Sequence, residues 1–454
     1  MEKERSSFSG RLGFVLSAAG SAVGLGNIWR FPYLAAKYGG GMFLLVYLIL
    51  VFTFGYTMIM AETTIGRMTK KSPIGAFEAY GSGALSKIGG WLNAIIPVLI
   101  VPYYSVIGGW VCKYLYESIT GNIHGIAQDS YFSGFISNGW TVEIWFIVFT
   151  LMACIVIYKG VENGIEKVSR FLMPILIGLA IVISIYSVTR PGAMEGVRYF
   201  LVPDFSRFSI MTVVSAMGQM FYSLSIAMGI MITFGSYMKE DVAIEQATTH
   251  VEFFDTAIAI LAGLMIIPAV FAFSGADSNM LQAGPSLMFI TIPKVFASMG
   301  FGTGISTIFF LLVLFAALTS AISLLESAVS TVEYQWSLSR KKSTLLMFVV
   351  IVALGSLSAL GYGPLAQVKI FGMQFLDLFD FMTNSVMMPL AALAICAYAV
   401  KNIGLSKMSA HIRMNGASFN RENIFRFMIR FICPIFVLVI LLSSLAQVIG
   451  WIQM

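Results

Sequence analysis

Along the chain, apolar stretches long enough to cross a membrane alternate with short polar connectors. A helix needs about 20 apolar residues to traverse the hydrocarbon core of a bilayer. A window of about 19 residues yields eleven such segments, on residues 12–36, 42–66, 88–120, 140–158, 165–188, 209–237, 243–273, 303–333, 343–361, 371–398 and 427–450. The longer ones imply tilt or continuation into loops. The connector 274–302 mixes Gly, Pro and short apolar runs and is expected to fold over a membrane face.

Composition agrees. Charged residues make up 11% of the 454 positions and hydrophobic ones 58%, with a mean hydropathy of +0.86. A soluble domain carries about 25% charge, and disordered chains are poor in apolar residues, so both classes are excluded. Four Cys and no Gly-X-Y period exclude disulfide-scaffold and collagenous chains. The fold class is all-α integral membrane, with eleven transmembrane helices. Charged residues through Arg11 followed by Leu12 to Ala19 mimic the outline of a secretory signal. The mixed charges before them, and Asn27, Trp29 and Arg30 after, favour a first span instead.

The net charge of +6 would suggest nucleic acid on a soluble domain, but here the basic residues sit in short loops and mark topology. With the N-terminus inside, 19 Lys and Arg fall on the inner face and eight on the outer. That orients the N-terminus to the cytoplasm and the C-terminus outside, in a multi-pass protein of the plasma (cytoplasmic) membrane. Cys112, Cys154, Cys396 and Cys433 lie in apolar stretches without CxxC pairing, and His124, His250 and His411 are far apart. Haem, zinc and redox chemistry therefore find no ligand set.

Polar residues at membrane depth are the informative exceptions. Span 1 reads Gly-Ser-Ala-Val-Gly-Leu-Gly-Asn-Ile-Trp-Arg-Phe-Pro from Gly20 to Pro32. Small residues for close helix packing account for the glycines but not for Asn27 and Arg30. A helix broken at mid-membrane accounts for both, with freed carbonyls for a cation and amide N–H groups for an anion. Span 6 carries Gly218, Gln219, Ser223, Ser225 and Gly229. Its serines could simply bond back to the preceding turn, but its place five spans after span 1 suits an inverted 5 + 5 repeat. Asp255 in span 7 is costly unless paired or ligating an ion. Span 8 has Thr319, Ser320, Ser323 and Glu326, span 2 has Glu62, and span 10 has Asp377 and Asp380. Glu62 either snorkels, pairs with a basic loop residue, or joins Glu326 in a proton step. These oxygens suit a hard cation.

Gly20 to Pro32 resembles the span-1 signature of the neurotransmitter:sodium symporter family, in its bacterial amino-acid transporter branch. Gln219 to Ser225, Asp255 with Ala262-Gly263, and Ala316 to Ser320 match in order and spacing, so the likeness covers nearly the whole chain. The resemblance implies a single polytopic domain. Residues 1–190 would form one five-helix repeat, 205–400 the second, and 401–454 a cytoplasmic loop plus helix 11, with helices 1 and 6 broken. It further implies Na⁺-driven uptake of an amino acid by alternating access. One Na⁺ site would use Ala22, Asn27, Ser223 and Asp255, the last at a position where Asn is usual. A second would use Gly20, Val23, Ala316, Thr319 and Ser320.

By the same likeness, Ala22, Leu25 and Gly26 would floor the substrate pocket and Tyr104 would bond the carboxylate. Ile100, Ser223, Ser225, Ala227, Met228, Ser320 and Leu324 would surround the substrate, beneath Tyr222 as lid. Gly24, where monoamine carriers have Asp, implies an α-amino acid, and the apolar lining implies a bulky aliphatic or aromatic one. Arg30 and Asp380 would form the outer gate, and Arg5, Tyr237 and Glu333 the inner, where Tyr334 stands at the expected acid's position. Chloride-binding members use residues like Tyr47, Gln219 and Ser223; the carboxylate of Asp255 implies that chloride is not required. Gly164 and Pro174 are either a helix start and proline kink or a hinge that unwinds span 5.

A channel would need a repeated filter motif, which the chain lacks. An amino-acid-binding sensor without transport stays open from sequence alone.

Overall fold

The computed structural model describes residues 6–274 and 284–448. Among these, regular structure is helical, and the bridges Gly40–Pro203 and Ile370–Met373 are isolated. Among the described residues, nine helices are long and apolar enough to cross a membrane: Gly41–Thr69, Ala84–Ile119, Gly139–Tyr158, Val161–Val188, Ile244–Ser274, Gly302–Trp336, Arg340–Leu360, Phe375–Ile403 and Glu422–Ala446. A tenth span is a bent pair, Arg11–Ala22 and Gly26–Lys37, meeting at 51°. The sixth sequence segment forms two short helices, Ile210–Ser223 and Ile230–Ser236, neither long enough to cross alone. Numbered in chain order, spans 1 and 6 are thus the broken ones.

Burial sorts the bundle. The most apolar windows of spans 3 (Ala84–Ile119) and 8 (Gly302–Trp336) are 83% and 72% buried, whereas that of span 11 (Glu422–Ala446) is 28% buried and faces outward. In span 1, Gly13 to Ala22 are buried without exception, as are Ile230 to Ser236 in span 6. A helix buried all round packs against protein on every side, so both broken spans run through the bundle's centre.

The glycines of span 1 explain how. A Cβ at Gly20 would lie 3.2 Å from Thr319 Cβ, one at Gly24 2.7 Å from Ser320 Oγ, and one at Gly26 2.8 Å from the Tyr222 ring. Close packing and helix breakage therefore coincide in the same glycines.

The described residues 284–302 of the connector pack against spans 3 and 8. Leu287–Ser298 is a short apolar helix, and its Phe289 stacks on Phe132 at 5.2 Å and meets Tyr114 edge-on at 4.9 Å. Tyr114 Oη donates to the Phe289 carbonyl at 2.9 Å. Before span 1, Phe8 packs among Phe14, Phe234 and Tyr237. Beside it the Ser9 amide donates to Glu166 at 2.8 Å, and Lys239 donates to the Ser9 carbonyl at 3.0 Å. Arg5 lies outside the described residues.

Candidate functional site

Span 1 stops at Ala22 because Val23 turns extended (ψ 91°), and helix resumes at Gly26 as a wide π turn through Arg30. Span 6 stops at Ser223. Ser225 (φ 54°) and Ala227 (φ 59°) then adopt left-handed backbone, and Gly229 (φ 69°) opens the second half. Two non-glycine residues in that region cost of order 1–3 kcal/mol each and cluster at functional sites. Glu62, fully buried, accepts the Ala227 N–H at 2.7 Å. It neither snorkels nor pairs with a loop cation: it satisfies a backbone donor that the break has freed.

The two breaks touch each other. Ser225 Oγ donates to the Ser21 carbonyl at 3.2 Å, and Gln219 Nε2 to the Gly26 carbonyl at 3.0 Å. Between them stands Asp255, fully buried. Its carboxylate accepts from Asn27 Nδ2 (2.8 Å), Ser223 Oγ (2.7 Å) and Tyr47 Oη (2.9 Å). All three donors are neutral, and no Lys or Arg among the described residues forms an ion pair with it. A buried carboxylate without a counter-charge is expensive in a bundle interior, and a cation beside it would lower that cost.

A second oxygen cluster lies on the other side of span 1. Ser320 Oγ donates towards the Gly20, Ser21 and Val23 carbonyls at 3.3, 3.0 and 3.4 Å. Thr319 Oγ1 donates to the Ala316 carbonyl at 3.2 Å. All five residues that the family likeness assigns to a second sodium position therefore meet here. Carbonyls and hydroxyls of this kind hold a cation without trapping it.

A cavity joins the clusters. It is lined by Ala22, Leu25, Gly26, Ile100, Tyr104, Tyr222, Ser223, Ser225, Met228, Ser320 and Leu324, as expected, and also by Ser21, Gly24, Asn27 and Ile230. Ala227 does not line it, because its backbone is turned to Glu62. Tyr104 Oη accepts the Leu25 N–H at 3.4 Å, so a hydroxyl and a helix-start amide share the polar end. The Tyr222 ring closes over Gly26. Ser21 and Ile230 carried no signal of their own, being a serine and an isoleucine among many in apolar runs.

The gates differ in detail from expectation. Arg30 lies 5.4 Å from the Tyr222 ring centroid, while Asp380 accepts from Tyr103 Oη at 3.2 Å and from Asn384. No ion pair joins Arg30 to Asp380, each being occupied by those neighbours. At the opposite end Tyr237 donates to Glu326 at 2.6 Å, and Glu326 also accepts both guanidinium nitrogens of Arg340. Glu333 reaches Arg340 at 3.8 Å, and Tyr334 Oη meets Glu78 at 3.5 Å. Arg340 was legible only as a loop cation. Gly164 packs where a Cβ would fall 2.1 Å from the Val156 carbonyl, which gives it a packing reason. Met173, next to Pro174, lies 3.5 Å from where a Gly20 Cβ would stand, linking span 5 to the second oxygen cluster.

Comparison with known proteins agrees with this geometry. The model of the sodium:neurotransmitter symporter family matches residues 5–133 and 132–451. An uncharacterized sodium-dependent transporter of Bacillus subtilis (strain 168), YhdH, is 34% identical over 97% of this chain and 98% of its own length. The sodium- and chloride-dependent taurine transporter of Rattus norvegicus is 29% identical, over 84% of this chain and 68% of its own. The crystal structure of MhsT in complex with L-phenylalanine is 37% identical and superposes with a TM-score of 0.87, covering 97% of this chain and all of that one. The chain belongs to the sodium:neurotransmitter symporter family, and is a multi-pass membrane protein of sodium-coupled symport.

Proposed function

We propose that the protein imports a hydrophobic α-amino acid, bulky aliphatic or aromatic, together with Na⁺ by alternating access. The observation that carries this reading is Asp255, a fully buried carboxylate held by three neutral donors where the two broken helices meet. One Na⁺ would sit there with Ala22, Asn27 and Ser223. A second would sit among Gly20, Val23, Ala316, Thr319 and Ser320. The two five-span units, 1–190 and 205–400, would place the breaks at matching positions, with 401–454 appended. The N-terminus would face the cytoplasm and the C-terminus the outside.

Chemistry of the cavity supports the substrate class. Ile100, Met228, Ile230 and Leu324 supply an apolar end, and Tyr104 with the Leu25 amide a polar one. A Cβ at Gly24 would stand 2.7 Å from Ser320 Oγ and 3.3 Å from Tyr104 Oη, and glycine supplies no acid for an isolated amine. MhsT, similar throughout, holds L-phenylalanine. The negative charge of Asp255 beside Tyr47 and Ser223 stands where an anion would otherwise be needed, which makes chloride dispensable.

The test is equilibrium binding of labelled amino acids to the purified protein in NaCl, choline chloride and sodium gluconate. Phenylalanine or leucine should bind in both sodium salts and not in choline. Binding of charged or small polar amino acids alone would overturn the substrate class. Loss of binding in gluconate would overturn chloride independence.

A further inference from the structure

Among the described residues, Arg430 is the cation of the last span that nothing in the bundle explains. It stands ninth in Glu422–Ala446, about 12 Å along the helix at 1.5 Å per residue, so it lies within the apolar segment. Its own face is built for lipid: Phe427, Phe431 and Ile435 are 56%, 50% and 54% exposed. Among the described residues Arg430 has no hydrogen bond or ion pair, and its guanidinium rests 5.3 Å from the Phe431 ring. Charged groups at such positions pair, or reach the interface where a counter-charge waits.

One turn earlier on the same face stands Arg426. It bonds Glu422 at 3.2 Å and Ser406 Oγ at 3.0 Å. Glu422 is shared, because Arg413 also pairs with it at 2.5 Å. Two arginines therefore divide one carboxylate and Arg430 has none, so the local charge stays positive. Lys401, next to the wall of the same region, is exposed as well. Between the end of span 10 and the start of span 11, Arg426 and Arg430 line an open cleft of about 660 Å³, within the range of ligand-holding clefts. Ser406 and Asn423 offer hydrogen bonds at its rim, and Phe427 and Phe431 give it an apolar floor continuous with the lipid-facing surface.

We propose that this cleft binds the headgroup of an anionic phospholipid from the adjoining leaflet. Arg426 and Arg430 would clamp the phosphate, Ser406 and Asn423 would contact the headgroup, and the acyl chains would run along Phe427, Phe431 and Ile435. Three features select this occupant together: net positive charge, a partnerless guanidinium at membrane depth, and a cleft open to the hydrocarbon. An amphipathic ligand satisfies all three, because a basic residue near a membrane surface attracts anionic lipid.

The test is native mass spectrometry of the full-length protein in detergent, titrated with phosphatidylglycerol or phosphatidylcholine. The variants are Arg430→Gln and Arg426→Gln/Arg430→Gln, with Lys341→Gln/Lys342→Gln as a control in another connector. Wild type should hold one more phosphatidylglycerol than the double variant. Affinity should fall about five-fold for each arginine removed, phosphatidylcholine should not discriminate among the proteins, and the lysine variant should match wild type. Equal phosphatidylglycerol occupancy in wild type and double variant would overturn the proposal. So would displacement of the lipid by millimolar inorganic phosphate, which would mark a free-anion site. A dimer lost in parallel with the arginines would assign the cleft to a second copy and overturn it too. Unchanged sodium-dependent substrate binding in the double variant verifies that it is folded.

Discussion

Replacing Asp255 by Asn keeps the side chain's shape and removes its charge, which isolates what the carboxylate does. Its three donors lie at 2.7–2.9 Å, so the amide oxygen can retain at least one of these bonds while the charge is lost. A monovalent cation about 3 Å from a carboxylate gains roughly 5 kcal/mol at an effective dielectric of about 20. Desolvation and the surviving amide dipole offset part of this, leaving a net loss of about 2–4 kcal/mol, or roughly 30- to 1,000-fold in Na⁺ affinity. Linkage makes that visible without a substrate. At a Na⁺ concentration about 100 times its dissociation constant, wild type is stabilised by about 2.7 kcal/mol. With affinity about 100-fold weaker, the same salt stabilises Asp255→Asn by only about 0.4 kcal/mol. Without sodium, the variant should be at least as stable as wild type, since a buried charge with only neutral partners has gone. The assay is thermal unfolding in detergent across a sodium gluconate titration, with choline gluconate holding ionic strength constant so that chloride does not replace the missing charge. A variant whose apparent Na⁺ affinity stays within three-fold of wild type would refute the assignment of Asp255 to the ion.

Gly26→Ala places a methyl group 2.8 Å from Tyr222 ring carbons, so the lid must shift. Substrate affinity should fall about ten-fold, about 1.4 kcal/mol, with Tm nearly unchanged; a dissociation constant within two-fold of wild type would show that the ring does not close there. Glu326→Gln leaves the largely buried Arg340 without its main partner, and should cost about 3 kcal/mol, read as a Tm lower by several degrees; an unchanged Tm would remove the pair from the stability of that end. His411 accepts from Arg67 Nε at 3.1 Å, and burial, then the nearby Arg67 charge, pushes its pKa down to about 4. The unfolded chain therefore binds the proton first, so this contribution to stability is complete above about pH 6.5 and is lost as pH falls towards 4. Tm measured from pH 7.5 to 4.5 should decline over that window less steeply in His411→Gln, and parallel curves would contradict the assignment.

Sequence reading reached the fold class through length and apolarity, signals that survive without tertiary information. It reached the breaks because Gly, Asn and Ser at membrane depth violate helix and lipid preferences together. What it missed depends on direction. The left-handed backbone at Ser225 and Ala227 turns the Ala227 N–H toward Glu62, and nothing in the residue types encodes that turn. Arg340 opens its helix from what reads as an ordinary basic loop, yet it is Glu326's partner. Arg30 and Asp380 were legible as opposite charges near one end, but whether they pair depends on Tyr222, Tyr103 and Asn384 as competitors. Span 6 fails a length criterion because the feature that makes it functional also divides it.

The measurement that bears most directly on sodium-coupled uptake is accumulation of labelled phenylalanine and leucine in proteoliposomes under an imposed inward Na⁺ gradient. Accumulation above the external concentration, collapsing when the gradient is dissipated and, in chloride-free medium, absent in Asp255→Asn, is the expected result. Sodium-dependent binding without accumulation would contradict it and identify the protein as a membrane sensor of its ligand.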